Sequence, residues 1–396
     1  MWKQRLIGRL LLLSLLAFMV QGCPGFGGPG TRNVGTNNGQ QVSVIQHVFK
    51  GKIYATIGHN LMAISGDGSS KQLVGGGNIY DPAISPDGSK IAFVQRYKNY
   101  SDLAFIPASG GKPNVLVSGK GHYYHNSIDP GIIDSDYYWY MEPSWSPDGS
   151  HLLFLANLEK NATWAGLGAP FDSAPFEDLE VFSLDFKHAN AKPQVLAYAS
   201  FGDGGDRDPS YVPHTNPQEI VYTHYKYDSS GINQVGQIYL EDATAIANHP
   251  GVYTPLQDAG VALTPENIMA RQPSLSPDGK TLAYVVSEPN EGPMGIYTTR
   301  LATGVTADPT SSTSQQRALL PAKSASRLLR GTYEARPTWS PDGKQIAYIT
   351  EFNNELDLFV ATLSYHATTK TYTIQGTPVQ VTSGGIDGDS RFMWTK

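Results

Sequence analysis

Few residues of this sequence stand at spacings that could do chemistry. His122-Tyr123-Tyr124-His125 sets two imidazoles three positions apart, which on a helix would share a face and could hold zinc. The surrounding stretch is rich in Gly and Tyr and offers no third ligand, so no metal is assigned there. Asp203-Gly204-Gly205-Asp206-Arg207-Asp208 and Asp387-Gly388-Asp389-Ser390 are oxygen-rich, yet neither completes a calcium loop. Asp87, Asp148, Asp278 and Asp342 recur inside Ser-Pro-Asp-Gly, where a carboxylate invites the role of general acid or cation ligand. A turn role accounts for all four, because Asp bonds its own backbone two residues on. The chain contains no Gly-x-Ser-x-Gly elbow, His-Glu-x-x-His pair, Walker loop or cysteine pair. No base, nucleophile and oxyanion donor can be named together, and the expectation is a protein that is not an enzyme and uses no cofactor.

The single cysteine has a different meaning. Lys3, Arg5 and Arg9 precede an apolar run from Leu10 to Val20, too short for a permanent membrane helix and suited to an export signal over residues 1–22. Val20-Gln21-Gly22-Cys23 follows and resembles the lipobox of bacterial lipoproteins. That resemblance implies a lipid on Cys23 and a protein anchored to a membrane, facing the periplasm or the cell exterior. Pro24 replaces the Asp associated with inner-membrane retention, which favours the outer membrane. Residues 23–46, rich in Gly, Pro and Asn, read as a flexible tether, and 47–396 as the folded domain. With no second thiol, that domain is held by its core and not by a disulfide.

Composition narrows the partners. Without the signal, 26 basic side chains face 35 acidic ones, a net charge of −9 that argues against nucleic acid and against a polybasic membrane clamp. The 41 glycines, 22 tyrosines and only 16% charged residues point to a β-rich, turn-rich protein.

The elements that position any site come from a repeat. DPAISPDGSKIAFVQ begins at 81, EPSWSPDGSHLLFLA at 142, QPSLSPDGKTLAYVV at 272 and RPTWSPDGKQIAYIT at 336. The steps are 61, 130 and 64 residues, and the doubled middle step locates a degenerate copy, DPSYVPHTNPQEIVYTH, at 208. Each copy reads as a hairpin. Pro presets the first corner of a type I turn, Asp suits the next position, and Gly takes the left-handed conformation that closes the loop. The returning strand, such as Gln345-Ile346-Ala347-Tyr348-Ile349, is apolar on both sides, so both faces of its sheet are expected to be covered. A third strand candidate follows each hairpin and a fourth tends to come after, as in Asn114-Val115-Leu116-Val117, giving four-stranded units around an axis. KIYATIGHNLMAISGDGSSKQLVGG (52–76) lacks a first strand, and Ser390-Arg391-Phe392-Met393-Trp394 supplies one at the other end. The fold predicted is an all-β, six-bladed propeller with four-stranded blades, closed by the C-terminal strand joining the N-terminal blade. Such a ring leaves no long open sheet edge.

The motif x-Pro-x-Trp-Ser-Pro-Asp-Gly-x-x-Ile-Ala-[Phe/Tyr] resembles the repeat of the TolB-like family of β-propellers, also found in the propeller domains of prolyl oligopeptidase relatives. The resemblance spans Lys52 to the last residue and implies the propeller fold. TolB-like proteins carry an α/β domain ahead of the propeller, for which residues 23–52 leave no room. The oligopeptidase relatives carry a hydrolase domain after it, which is not expected here.

Propeller architecture places ligands mostly where one blade's outer strand crosses to the next blade's inner strand. The residue before each repeat's Pro, or its counterpart, is expected at that channel mouth: Asp81, Glu142, Asp208, Gln272, Arg336 and Arg391, with Arg207 and Arg271 one position earlier. Two roles are open for this mixed-charge set, mutual pairing that holds the inner strands in register, or binding. The longest crossing, 119–141, offers Asp134, Asp136, Tyr137, Tyr138, Trp139 and Tyr140, residue types favoured at recognition surfaces and for stacking on sugar rings. Trp145, Trp339 and Trp394 read as core wedges between blades. The function expected is a lipid-anchored, monomeric, non-enzymatic module that binds a protein of the cell envelope. The alternatives are an enzyme acting on envelope or extracellular polymers, such as a polysaccharide lyase or hydrolase working at the channel mouth, and a small-ligand sensor.

Overall fold

The computed structural model describes residues 48–125, 129–131, 133–161, 178–188, 191–199, 202–215, 218–243, 260–287, 293–301 and 325–396. The export signal expected over residues 1–22, Cys23 and the tether expected over 23–46 lie outside the described residues.

Among the described residues, six four-stranded antiparallel sheets form the blades. Blade 1 joins β1 (Lys52–Ile57), β2 (Asn60–Ser65) and β3 (Ser70–Val74) to the last strand of the chain. Blade 2 is β4 (Ile79–Ile84), β5 (Lys90–Arg96), β6 (Ser101–Pro107) and β7 (Asn114–Ser118). A two-stranded ribbon, β8 (Tyr123–His125) with β9 (Ile133–Ser135), then precedes blade 3. Blade 3 is β10 (Tyr140–Trp145), β11 (His151–Ala156), β12 (Glu180–Asp185) and β13 (Gln194–Ala197). Blade 4 is β14 (Asp206–Tyr211), β15 (Glu219–Tyr227), β16 (Gln234–Asp242) and β17 (Val261–Ala262). Blade 5 is β18 (Met269–Leu275), β19 (Thr281–Ser287), β20 (Met294–Arg300) and β21 (Ser326–Gly331). Blade 6 is β22 (Glu334–Trp339), β23 (Gln345–Phe352), β24 (Glu355–His366) and β25 (Thr371–Gln380), and β26 (Met393–Thr395) returns to blade 1.

The Ser-Pro-Asp-Gly segments make the same turn four times. In blade 6, Gly343 donates its N–H to the carbonyl of Ser340 at 2.9 Å and has φ +69°. The Asp342 carboxylate accepts from the Ser340 hydroxyl at 2.7 Å and from the Lys344 N–H at 3.1 Å. Asp87, Asp148 and Asp278 are held by Ser85, Ser146 and Ser276 in the same way. These carboxylates are consumed locally, and the serine hydrogen bonds push Asp87, Asp148 and Asp342 below the ordinary Asp range.

Each second strand is covered on both faces. Ile91, Ala92, Phe93 and Val94 of β5 are all fully buried, because one face packs on the preceding blade and the other on the next. The core is accordingly made of layers between blades: Tyr80, Val94 and Leu103 of blade 2 pack with Trp145, Phe154 and Phe182 of blade 3. Trp145 and Trp339 reach back to the blade before, donating their indole N–H to the carbonyls of Ala83 at 3.0 Å and Ser274 at 3.2 Å.

Closure uses both ends of the domain. Trp394 pairs with Ile53 in the β26–β1 ladder and packs edge-on against Phe49 at 5.3 Å. The chain enters beside the turns: the Val48 N–H bonds Gly66 in the β2–β3 turn at 2.8 Å, and the Val48 carbonyl accepts from the side chain of Gln345, just past the blade 6 turn. The propeller therefore has a turn face, which receives the N-terminal segment, and a loop face with the inter-blade crossings.

Candidate functional site

The six residues expected at the channel mouth do converge, and what brings them together is a repeated β-bulge. In each of the five complete hairpins the pairing slips at the same place: between Met141 and Ser144 in β10, for example, two residues oppose one. The first bulged residue is Asp81, Glu142, Asp208, Gln272 or Arg336, with φ of +54°, +52°, +58°, +55° and +54°. A non-glycine residue in this left-handed region costs about 1–2 kcal/mol, and every one is followed by Pro. The bulge frees a backbone N–H of that residue for the blade before it.

A relay of hydrogen bonds results. Asp81 Oδ2 accepts the Glu142 N–H at 3.2 Å, and Glu142 Oε2 accepts the Asp208 N–H. Asp208 Oδ2 accepts the Gln272 N–H at 3.2 Å, and Gln272 Oε1 accepts the Arg336 N–H at 2.8 Å. Side-chain oxygens at blades 2 to 5 thus bind the strained peptide of the following blade. Arg336 has no oxygen to continue, so the Arg391 N–H turns the other way while the Asp81 N–H keeps the sense of the relay. Arg391 donates its N–H to Asp81 Oδ1 at 2.9 Å, and Asp81 donates its own to the Ser390 hydroxyl at 2.8 Å.

The two arginines cross the channel instead. Arg336 Nη1 reaches Glu142 Oε1 at 3.3 Å and Asp208 Oδ1, and its Nη2 reaches the carbonyl of Asp389 at 3.3 Å. Arg391 Nη1 donates to the carbonyls of Pro209 at 2.8 Å and Glu142 at 3.4 Å. Burial, followed by repulsion from Asp208, raises Glu142 to about 7 against the pull of Arg336. The acidic residues of the ring are deeply buried, Asp81 at 1% exposure and Glu142 at 3%. Arg207 donates to the carbonyl of Asp206 at 2.6 Å, and Arg271 donates to the Ser287 hydroxyl at 2.8 Å in its own blade and also bonds Tyr225 of blade 4. Asp81, Glu142, Asp208, Gln272 and Arg336 are thus paired with one another across the blades.

Two buried pairs of titratable side chains among the described residues lie outside the residues expected from the sequence. His224 Nδ1 meets Asp206 Oδ1 at 2.7 Å across β14 and β15. Lys160 Nζ lies 3.3 Å from Glu180 Oε1 and also donates to the carbonyl of Ala199. Burial raises Glu180 to about 8, with Lys160 pulling the other way. The His at 224 and the Lys at 160 gave no periodic signal that marks them as interior.

On the loop face, the long crossing divides its aromatics. Tyr140 is buried at 2% exposure and packs on Phe154 at 5.7 Å, so it belongs to the core and not to a recognition surface. Tyr138 and Trp139 are half-buried against the layers on either side of blade 3. Tyr137 joins a tyrosine cluster that the sequence list only partly named: Tyr97 stacks on Tyr100 at 4.5 Å, Tyr100 on Tyr137 at 6.0 Å, and Tyr123 meets Tyr137 edge-on at 5.2 Å. Tyr97 and Tyr123 are 38% and 50% exposed, and Ile133, on the β9 strand of the same ribbon as Tyr123, is also exposed. Asp136 is spent inside the loop, on the N–H and Nδ1 of His122. Asp134 sits in β9 opposite Tyr124, and its side chain lies outside the described residues. His122 and His125 are on a ribbon, not a helix, and His125 bonds the carbonyl of Pro130 at 2.9 Å. Among the described residues no three metal-ligating side chains gather anywhere.

Below the ring, the turn-face end of the channel opens into a cavity of about 340 Å³, walled by the inner strands and by Pro147 and Pro213 of the turns.

No protein-family model matches the chain, and no curated protein matches it. Among solved structures, TolB from Acinetobacter baumannii is similar at 19% identity with a TM-score of 0.54, over 88% of this chain and 68% of that one. A putative TolB from Agrobacterium tumefaciens matches at 14% identity and a TM-score of 0.47, over 86% and 92% of the two chains. An oligogalacturonate lyase in complex with manganese matches at 13% identity and 0.43, over 79% and 69%. At these identities the first likeness shows a shared TolB-like propeller fold and nothing finer, and the other two carry no argument.

Proposed function

We propose that this chain is a non-enzymatic binding module of the cell envelope, anchored by a lipid on Cys23, that recognises a protein partner with its loop face. The observation that carries the reading is the tyrosine cluster of Tyr97, Tyr100, Tyr123 and Tyr137, preassembled on that face with two of its rings half-exposed. Tyrosine supplies rigid, amphipathic contact area at low entropic cost, which is why it is enriched at recognition surfaces. The entry of the chain on the turn face supports the same assignment, since a tether there leaves the loop face directed away from the membrane. So does the ring chemistry: Asp81, Glu142 and Asp208, the carboxylates a polymer-acting enzyme would draw on, are engaged by backbone N–H groups and Arg336.

The test is site-specific photo-crosslinking in intact cells, with the photoreactive residue at position 123 on the loop face or at position 365 on the turn side. A discrete envelope-protein adduct from position 123 and none from 365 is expected. Equal adducts from both positions, or none from 123, sink the reading.

A further inference from the structure

The cavity on the turn face has the makings of a site that the ring above it does not use. Its lining includes Ser144, Ser210, Ser274, Trp145, Trp339 and Arg391. Its size falls within the range of small-molecule pockets, roughly 300–1,000 Å³. The charges around it are mostly committed. Asp208 gives Oδ1 to Arg336 and Oδ2 to the Gln272 N–H and the Thr223 hydroxyl. Asp81 and Glu142 each spend both oxygens in the ring.

Arg391 is the exception. Its backbone N–H and its Nη1 hold it across the channel, while its Nε and Nη2 have no acceptor among the described residues and are not enclosed. A guanidinium fixed by one nitrogen and open along its Nε–Nη2 edge presents two parallel donors, the geometry that takes a carboxylate side-on. The hydroxyls of Ser144, Ser210 and Ser274 likewise have no hydrogen-bond partner among the described residues, and they line the same space. Edges of Trp145, Trp339 and Trp394 supply apolar wall.

We propose that this cavity binds a small organic carboxylate with an apolar body, its carboxylate on the Nε–Nη2 edge of Arg391, its remaining lone pairs on the serine hydroxyls, and its body against the indoles. The acidic ring does not oppose such a ligand. Arg336 and Arg391 offset Asp208 and Asp81, and burial drives Glu142 toward its neutral form. The proposal is independent of the loop-face reading, because it uses the opposite end of the channel.

The experiment is calorimetric titration of the detergent-solubilised full chain with phenylacetate, against phenylacetamide as the neutral isostere. Saturable binding of phenylacetate, at least about tenfold tighter than the amide, is the expected result, as a charge-assisted bidentate pair requires. Ser210→Phe, which fills the cavity, is expected to abolish it, and Arg391→Lys to weaken it by at least about tenfold. Equal affinity for acid and amide, no saturable binding of phenylacetate, or binding unchanged in S210F overturns the proposal. Should Arg391→Lys fail to fold, the acid–amide comparison on the unaltered chain and the S210F result still decide.

Discussion

The indole N–H of Trp394 donates to the carbonyl oxygen of Lys50 at 2.8 Å, a bond between residues 344 positions apart. It sits where β26 completes blade 1, alongside the Phe49 ring, and it adds to the β26–β1 ladder that closes the ring. Trp394→Ala removes a buried ring and that bond together, and is expected to cost about 3–5 kcal/mol. Urea denaturation followed by near-UV circular dichroism measures it. A loss no larger than that of an exposed-site control such as Tyr365→Ala would mean that closure does not stabilise the ring.

The relay makes a prediction about one oxygen. Glu142→Gln keeps an acceptor for the strained Asp208 N–H and resembles the neutral carboxyl that burial favours, so about 1 kcal/mol is expected to be lost. Glu142→Leu orphans that N–H and leaves Arg336 with one carboxylate fewer, and about 3–5 kcal/mol is expected to go. The comparison of their urea midpoints is the check. A Leu variant as stable as the Gln variant contradicts the relay.

The tyrosines of the long crossing separate by the same kind of measurement. Tyr123→Ala is expected to change stability by no more than about 0.5 kcal/mol, since half of that side chain is already in water. Tyr140→Ala opens a cavity beside Phe154 and is expected to cost about 3–5 kcal/mol. Thermal melts of the two variants, run together, would expose a mistaken division between surface and core.

The blades were legible because a tight turn restricts its residues: Pro341, Asp342 and Gly343 each satisfy a local backbone demand, and four copies of that demand give the period. The strand that closes the ring could be read by register alone, from Arg391 against Arg336. The ring positions were also legible, as the residue before Pro82, Pro143, Pro209, Pro273 and Pro337. What could not be read was the left-handed backbone there, because nothing in the types Asp, Glu, Gln and Arg announces a positive φ, and with it the direction of the relay. Tyr137 and Tyr140 are three apart and alike in type, yet one joins a surface cluster and the other lies under a blade. The β8–β9 ribbon escaped for a related reason, since short polar and aromatic runs carry no period. Lys160 and Glu180 are interior because a pairing between distant segments brings them together, and that pairing is written in neither segment alone.

Glu334 carries the prediction on pH. It is buried at 6% exposure, one position before Ala335 of the inner strand of blade 6. Oε1 accepts from the Thr350 hydroxyl at 3.3 Å, and Oε2 has no hydrogen-bond partner among the described residues. Burial raises this carboxyl from 4.5 to about 7, with the Thr350 bond a smaller pull downward. A group whose folded value is raised binds its proton more tightly when folded, so its contribution is complete below pH 4.5 and is lost as pH rises toward about 7. The loss is roughly 1–2 kcal/mol once solvent screening near the loop face is allowed for. Glu334→Gln cannot ionise. Relative to the unaltered chain it is therefore expected to gain stability between pH 5 and pH 8 by about that amount. Urea midpoints of both proteins across that range test it, and parallel pH profiles would show that Glu334 does not titrate as its burial requires.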